Sequence, residues 1–545
     1  MPITEYLVKN AEQFGDKTCL TEINPELEVR GGWTWKELAL VETADSGPYR
    51  KELTWREFDE MANQFANLLI DRGVRRGDKV GILLMNCIEW LPIYFGVLKS
   101  GAIVVPLNFR YSSDEIRYTL NLADVCTLVF GPEFTDRVRT IWEGVPNVRV
   151  KFFVGRDCPD FAESLGSLAH AQPKTAPDVA LSDDEDAAIY FSSGTTGFPK
   201  AILHSHLSLV TSCQVEQNHH SQTPGDIFLC IPPLYHTGAK MHWFGSLLTG
   251  GSAILLRGTR PKWIIETAAS EKATIVWLLV PWAQDILDAI ESGEINLKDY
   301  DLSAWRLMHI GAQPVPQSLI RRWKKYFPGH QYDTNYGLSE SCGPGAVHLG
   351  VENIHKVGAI GKAGYRWKTR IVDERGEAVK PGEVGELIVS GDCVMKRYYK
   401  DPEATAAVLK DGWLYTGDMA REDEDGFIFL VDRKKDVIIT GGENIYPVQI
   451  EDFLRGCDKI KDAAVIGLAD HRLGEIAAAI IEIKPGMDCG EAEILKFCEQ
   501  LPRYKRPHRI IFDSVPRNAT GKIEKPRLRA RYGADSIVKK QIEVD

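Results

Sequence analysis

Short β-branched runs recur through the first three-quarters of this 545-residue chain, most of them followed by a helix-like amphipathic stretch. KVGILLM (79–85), AIVVPL (102–107), TLVFG (127–131), AAIYF (187–191), TIVWLLV (274–280) and RLMHIG (306–311) are the clearest. This is the βαβ rhythm of a layered α/β architecture. Near residue 370 the texture changes. TRIVDERG, EVGELIVSG and GFIFLVDRKKDVIITGG are closely spaced, alternating and Gly-rich at their turns, which predicts a small antiparallel β region. Past residue 436, YPVQIEDFLRG and EAEILKFCEQL read as helices, and AAVIGL and IAAAIIEIK as strands. Those ~110 residues are enough for a separate α+β unit. The predicted division is a large unit over 1–431, a hinge at 432–436 in the charged VDRKKD stretch, and a small mobile unit over 437–545.

One local oddity is TWKEL at 34–38, echoed by TWREF at 54–58. Two short matches do not make a repeat architecture. Residues 24–52 read as a surface insertion without an assigned function.

Composition narrows the function classes. A hydrophobic content of 44% excludes a disordered chain, because enough apolar surface exists to offset the entropy of ordering. The 65 basic and 76 acidic residues leave a net charge of -11, a poor basis for binding nucleic acid. Local basic loops could still hold a small phosphorylated ligand. The 11 cysteines include no CxxC pair and read as reduced thiols. The opening MPITEYLVKNAEQFGDK lacks a signal peptide's apolar segment, and ATIVWLLVPWA (273–283) falls short of the ~20 residues of a membrane span. The expectation is a cytoplasmic protein with no membrane span.

The chemistry concentrates in YFSSGTTGFPKAILHSHLSLV, 190–210. An apolar strand runs into Ser192, Ser193, Gly194, Thr195, Thr196, Gly197 and Lys200, and then into a helix. Glycines let backbone N–H groups turn toward an anion, hydroxyls add donors, and the lysine adds charge, so the loop reads as a polyphosphate cradle. It is not the common P-loop, because Pro199 and Ala201 stand where glycine and a hydroxyl belong. His204, His206, His219 and His220 suggest a metal site at first sight. None has cysteine or carboxylate partners at zinc-like spacing, so no metal is expected there.

SSGTTGFPK resembles the signature loop of the adenylate-forming superfamily, which includes acyl-CoA synthetases, luciferases and peptide-synthetase adenylation domains. PPLYHTG (232–238), NYGLSE (335–340), YTGD (415–418), DRKKDVIITGGENIYP (432–447) and PRNATGK (516–522) follow in the family's order. The resemblance implies ATP, Mg²⁺ and coenzyme A as ligands, and AMP and pyrophosphate as products. It places Tyr336 against adenine, with Gly311, Ala312 and Gln313 along the base edge and Asn335 and Gly337 beside it. Ser339 would donate to the α-phosphate, Asp418 would accept from the ribose hydroxyls, and Arg433 would help hold ribose and phosphate. Glu340, with Thr195, would serve the magnesium. His236 would stand at the carboxylate entrance, and Lys522 would be the adenylation lysine. Lys435 matches the hinge, and Gly441 and Gly442 the passage of the coenzyme A arm. Taken alone, Asp418 reads as a turn residue, Lys435 as part of a solvated charge run, and Lys522 as an exposed charge.

The leading expectation is an AMP-forming acyl-CoA ligase. Alternatives are an adenylating enzyme serving a carrier protein, a luciferase-like oxygenase, and a degenerate ATP-binding scaffold. No Asp or Glu occurs from Ile227 to Ser246, which disfavours an amino-acid substrate. Gly238, His242, Trp243, Trp282, Gly337 and Cys342 are the expected acyl-pocket residues. Family members restricted to acetate carry tryptophan at the position of Gly337, so glycine implies a deeper pocket and a bulky, finite acid: cyclic, aromatic or medium-chain. The direction of reaction stays open. A homodimer is compatible with the chain, and acylation of Lys522 would remove its charge.

Overall fold

The computed structural model describes residues 1–25, 50–192, 199–311, 315–349, 355–440, 443–517 and 523–533. The predicted strands form two large, mostly parallel sheets. Lys79–Leu83 pairs in parallel with Ile103–Pro106 and Val125–Phe130 in an eight-stranded sheet, which Asp186–Phe191 joins beside Ile103–Pro106. Ile227–Cys230, Ser252–Leu256, Ile275–Leu279, Leu307–Gly311 and Gln331–Leu338 form the parallel centre of a nine-stranded sheet.

Successive side chains of a strand point to opposite faces, and that alternation builds the layers. Phe228, Cys230, Leu255, Ile275 and Trp277 face one core, shared with Val80, Ile82, Val104 and Tyr190 of the other sheet. The helices Trp55–Asp71, Trp90–Lys99, His206–His219 and Thr237–Thr249 fill this middle layer. Leu229, Leu256, Val276, Leu278 and Ile310 face a second core, covered by Pro261–Ser270, Val280–Glu291 and Gln317–Tyr326.

The later texture change is equally visible. Lys368–Val372, Gly385–Ser390, Trp413–Glu422 and Ile428–Arg433 pair antiparallel in a five-stranded sheet. A last sheet holds Ile438–Thr440, Glu443–Ile445, Ile460–Asp470, Gly474–Ile483 and Arg509–Phe512. The helices Pro447–Arg455 and Glu491–Phe497 pack on it through Ile450, Leu454 and Ile494. The fold class is the one the sequence predicts.

Two local expectations need correction. The charged stretch at 431–436 is not a bare linker. Val431, Asp432 and Arg433 continue a strand, with Asp432 opposite Met419 and Arg433 opposite Asp418. Lys434 pairs with Glu386 at 2.9 Å and Asp436 with Arg529 at 2.7 Å. Nor do the ends of 24–52 lie on the surface. Asn24 and Lys51 are buried, because Thr18–Ile23 pairs antiparallel with Arg50–Thr54. Thr54 and Glu57 of the TWREF echo form a capping box that starts the next helix; residues 34–38 lie outside the described residues.

Candidate active site

In a parallel sheet, ligands bind in the crevice outside the carboxyl ends of the strands. The predicted residues gather there. Gly311 ends Leu307–Gly311, and Asn335, Tyr336 and Gly337 occupy the far half of Gln331–Leu338. PPLYHTG follows Ile227–Cys230. Ser192 pairs with Lys200, accepting from the Lys200 N–H through Oγ and donating its own N–H to the Lys200 carbonyl, both at 3.0 Å.

The small antiparallel sheet contributes Asp418 and Arg433. The Tyr336 hydroxyl donates to Asp418 Oδ2 at 2.5 Å, and Arg433 Nε lies 2.5 Å from Asp418 Oδ1. Burial, and then the adjoining carboxylate, push the Tyr336 phenol far above its ordinary pKa, so it stays a donor. Both Asp418 oxygens are thereby oriented before any ligand arrives. Asn335 points elsewhere: its Nδ2 donates to Glu216 Oε1 at 2.6 Å.

Ser339 and Glu340 begin a single turn of 3₁₀ helix. His204 Nε2 donates to the Ser339 carbonyl at 2.8 Å, and burial holds His204 down at about 4, so it props this turn as a neutral ring. Glu340 Oε1 accepts from the Tyr398 hydroxyl at 2.9 Å, and Lys200 Nζ lies 4.7 Å from the centre of the Tyr398 ring. Tyr398 therefore joins the loop lysine to the turn carboxylate. The sequence reading missed it, since its place depends on the two-residue strand Arg397–Tyr398 pairing with Ala201–Ser205.

On the acyl side, His236 caps the Thr237–Thr249 helix, its Nδ1 accepting from the Gly238 N–H at 3.3 Å. A Cβ on Gly238 would stand 3.2 Å from Trp277 Cη2, so the glycine permits this close approach. The structure does not bring Trp243 or Trp282 to that point. Trp243 lies about 140° around the helix from Gly238 and packs in the core against Phe58 and Phe244, ring centres 6.0 and 5.1 Å away. Trp282 packs on the second core, beyond the sheet. Alternation in TIVWLLV could have found Trp277, which shares its face with Ile275. Cys342 is fully buried in the first core, with its thiol pushed up to about 12 by burial, and is inert.

Lys240, one turn along from His236, is also fully buried. Its Nζ sits 4.0 Å from the centre of the Tyr190 ring and has no hydrogen-bond partner among the described residues, and burial drives its pKa far down. Because an unsatisfied buried polar group costs about 1–3 kcal/mol, Lys240→Met should stabilise the chain by a comparable amount. The urea midpoint should rise; a fall would show that the amine is satisfied.

Lys435 is exposed between the ion-paired Lys434 and Asp436, and partial desolvation lowers its pKa. Ser193, Gly194, Thr195, Thr196, Gly197, Ala312, Gln313, Gly441, Gly442, Lys522 and the side chain of His242 lie outside the described residues. Among the described residues no helix is long and apolar enough to cross a membrane.

Comparisons to known proteins show the family. The family model for AMP-binding enzymes matches residues 9–399, and that for their C-terminal domain matches 449–522. A long-chain-fatty-acid–CoA ligase of Mycobacterium tuberculosis is 30% identical over 88% of this chain and 93% of its own. A feruloyl-CoA synthase of Amycolatopsis sp. is 33% identical over 88% and 94%. The crystal structure of an anthranilate CoA ligase with anthranoyl-AMP matches with a TM-score of 0.86 at 25% identity, covering 98% of both chains. The chain belongs to the AMP-binding enzyme family, within which it is an ATP-dependent, AMP-forming acyl-CoA synthetase.

Proposed function

We propose that this synthetase activates a cyclic, aromatic or medium-chain carboxylic acid. The observation that carries the reading is glycine at two crevice positions, Gly238, against which Trp277 packs, and Gly337 next to Tyr336, neither of which puts a side chain into the acyl side. Relatives that act on long-chain fatty acids, ferulate and anthranilate support a bulky acid.

In the first half-reaction a carboxylate oxygen attacks the α-phosphorus of ATP, and the bond to the pyrophosphate oxygen breaks. In the second, the coenzyme A sulfur attacks the acyl carbonyl and AMP departs. The protein contributes positioning and charge neutralisation. Asp418, oriented by Tyr336 and Arg433, accepts from the ribose hydroxyls. Lys200 and the 193–197 loop hold the polyphosphate, and His236 stands at the carboxylate entrance. Glu340 fits magnesium: among the described residues Tyr398 takes Oε1 and none takes Oε2, and one carboxylate with phosphate oxygens is a usual set for that ion. When bound, the ion neutralises phosphate charge. Gly441 and Gly442 border the coenzyme A arm, and the small unit after 432–436 turns between the half-reactions. All steps are reversible, so abundant pyrophosphate could drive ATP formation.

Pyrophosphate release across a panel of carboxylates tests the substrate class. Cyclic, aromatic or medium-chain acids should lead and acetate should be poor; acetate as the best substrate would overturn it. Gly337→Trp should shift preference toward short acids, since overpacking costs ~1–3 kcal/mol where a pocket cannot yield. Unchanged kcat/KM for every acid would place Gly337 away from the pocket. Lys435→Pro fixes φ where the hinge must turn, and should slow one half-reaction much more than the other. Equal slowing of both would locate the hinge elsewhere.

A further inference from the structure

Spacing alone led to no expected metal at the histidines of 204–220, but Glu216 lies one turn before His220 and the fold brings further partners from elsewhere. His219 and His220 end the His206–His219 helix, with Glu216 one turn before His220. His309 and Asp333 are register partners on the adjacent strands Leu307–Gly311 and Gln331–Leu338.

Glu216, His220 and His309 offer one ligand atom each within 4.8 Å of one another, and Asp333 Oδ2 borders two of them. Asp333 Oδ2 is 2.5 Å from His220 Nε2 and 2.7 Å from His309 Nδ1. His220 Nε2 is 3.2 Å from His309 Nδ1 and 3.3 Å from Glu216 Oε2. All four residues are at most 2% exposed. The remaining polar atoms of three of them are engaged outward. Asp333 Oδ1 meets His219 Nε2 at 2.5 Å, Glu216 Oε1 accepts from Asn335, and His220 Nδ1 faces the Gln222 carboxamide at 3.4 Å. Outer contacts of this kind orient the ligands of a metal site.

Charge points the same way. Asp333 and Glu216 bring two carboxylates into a closed space, and buried charge is costly unless compensated. A divalent cation would balance both carboxylates and displace the ring protons that Asp333 Oδ2 now accepts. Donors tetrahedrally placed around zinc at 2.0–2.1 Å lie about 3.3 Å apart, close to the His220–His309 and His220–Glu216 separations.

We propose that Glu216, His220, His309 and Asp333 form a structural site for one borderline divalent cation of the zinc class, separate from the magnesium that accompanies ATP. Mixed imidazole and carboxylate donors suit zinc better than magnesium. The ion would tie the end of the His206–His219 helix to the strands that carry Gly311, Asn335 and Tyr336, stiffening the floor beneath the nucleotide.

Metal analysis of the full chain, purified without a histidine tag or chelators, should give one zinc per chain. After stripping, Zn²⁺ alone should raise the thermal midpoint, and Co²⁺ should give the visible absorption of a tetrahedral ion. H220Q, if folded by circular dichroism, should lose the metal; if it does not fold, the wild-type stoichiometry and Co²⁺ spectrum decide. Far less than one zinc, together with no response to Zn²⁺ or Co²⁺, would show a network held by protons alone. Zinc retained by folded H220Q would place the ion elsewhere, and either result overturns the proposal.

Discussion

Lys522→Ala should lower acyl-adenylate formation from ATP by ~10²–10³-fold, or about 2.7–4 kcal/mol, the usual loss on removing one preorganised donor to developing charge. The expectation rests on the proposed role of PRNATGK, in which the ammonium neutralises charge where an anionic carboxylate approaches the α-phosphate. That need exists in the first half-reaction only. In the second, coenzyme A attacks an adenylate already made, and the proposed turn of the small unit would have carried Lys522 away. Thioester formation from supplied acyl-adenylate should therefore stay within a few-fold of wild type. Acylation of the ε-amine removes the same charge and should reproduce the variant. Equal impairment of both steps in a folded Lys522→Ala protein would give the lysine a different role.

Lys51→Met should cost about 3–5 kcal/mol of stability, the penalty for breaking a buried ion pair by removing one partner. Lys51 Nζ lies 3.3 Å from Glu89, and the two side chains are 1% and 0% exposed. Glu22, also buried, accepts from the Ile88 N–H at 2.9 Å and is pushed up to about 7, chiefly by burial, with Lys51 opposing and Glu89 adding to the rise. This gives a pH dependence with a definite sign. A carboxyl whose folded pKa exceeds its unfolded value near 4.5 stabilises the fold fully below pH 4.5 and loses that contribution as pH rises through about 7. Denaturant unfolding should show wild-type stability falling from pH 5 to 8 by up to roughly 3 kcal/mol, and Glu22→Gln should flatten that step. A Lys51→Met protein as stable as wild type would mean that Glu89 finds other compensation.

Local patterns carried much of the architecture. Apolar runs in KVGILLM and TIVWLLV had the length and composition of central strands, and TRIVDERG and EVGELIVSG had the alternation of an antiparallel pair. Motif order likewise marked Tyr336, Asp418 and Arg433, which the fold joins across two sheets. What stayed hidden depends on long-range pairing. Tyr398 reaches Glu340 only because a two-residue strand docks on Ala201–Ser205. Asp333 meets His219 and His220 from more than a hundred residues away, so spacing along the chain could not reveal them. The tryptophans show a subtler limit. Trp277, Trp282 and Trp243 are all apolar in sequence, and only strand parity and helical angle separate the one beside Gly238 from the other two.

The most direct test of the central claim is AMP release from ATP and a bulky carboxylate, measured with and without coenzyme A. The account predicts steady AMP formation that requires both the acid and the thiol, matched by acyl-CoA in equal amount. No AMP with any acid, or AMP release that coenzyme A leaves unchanged, would contradict it.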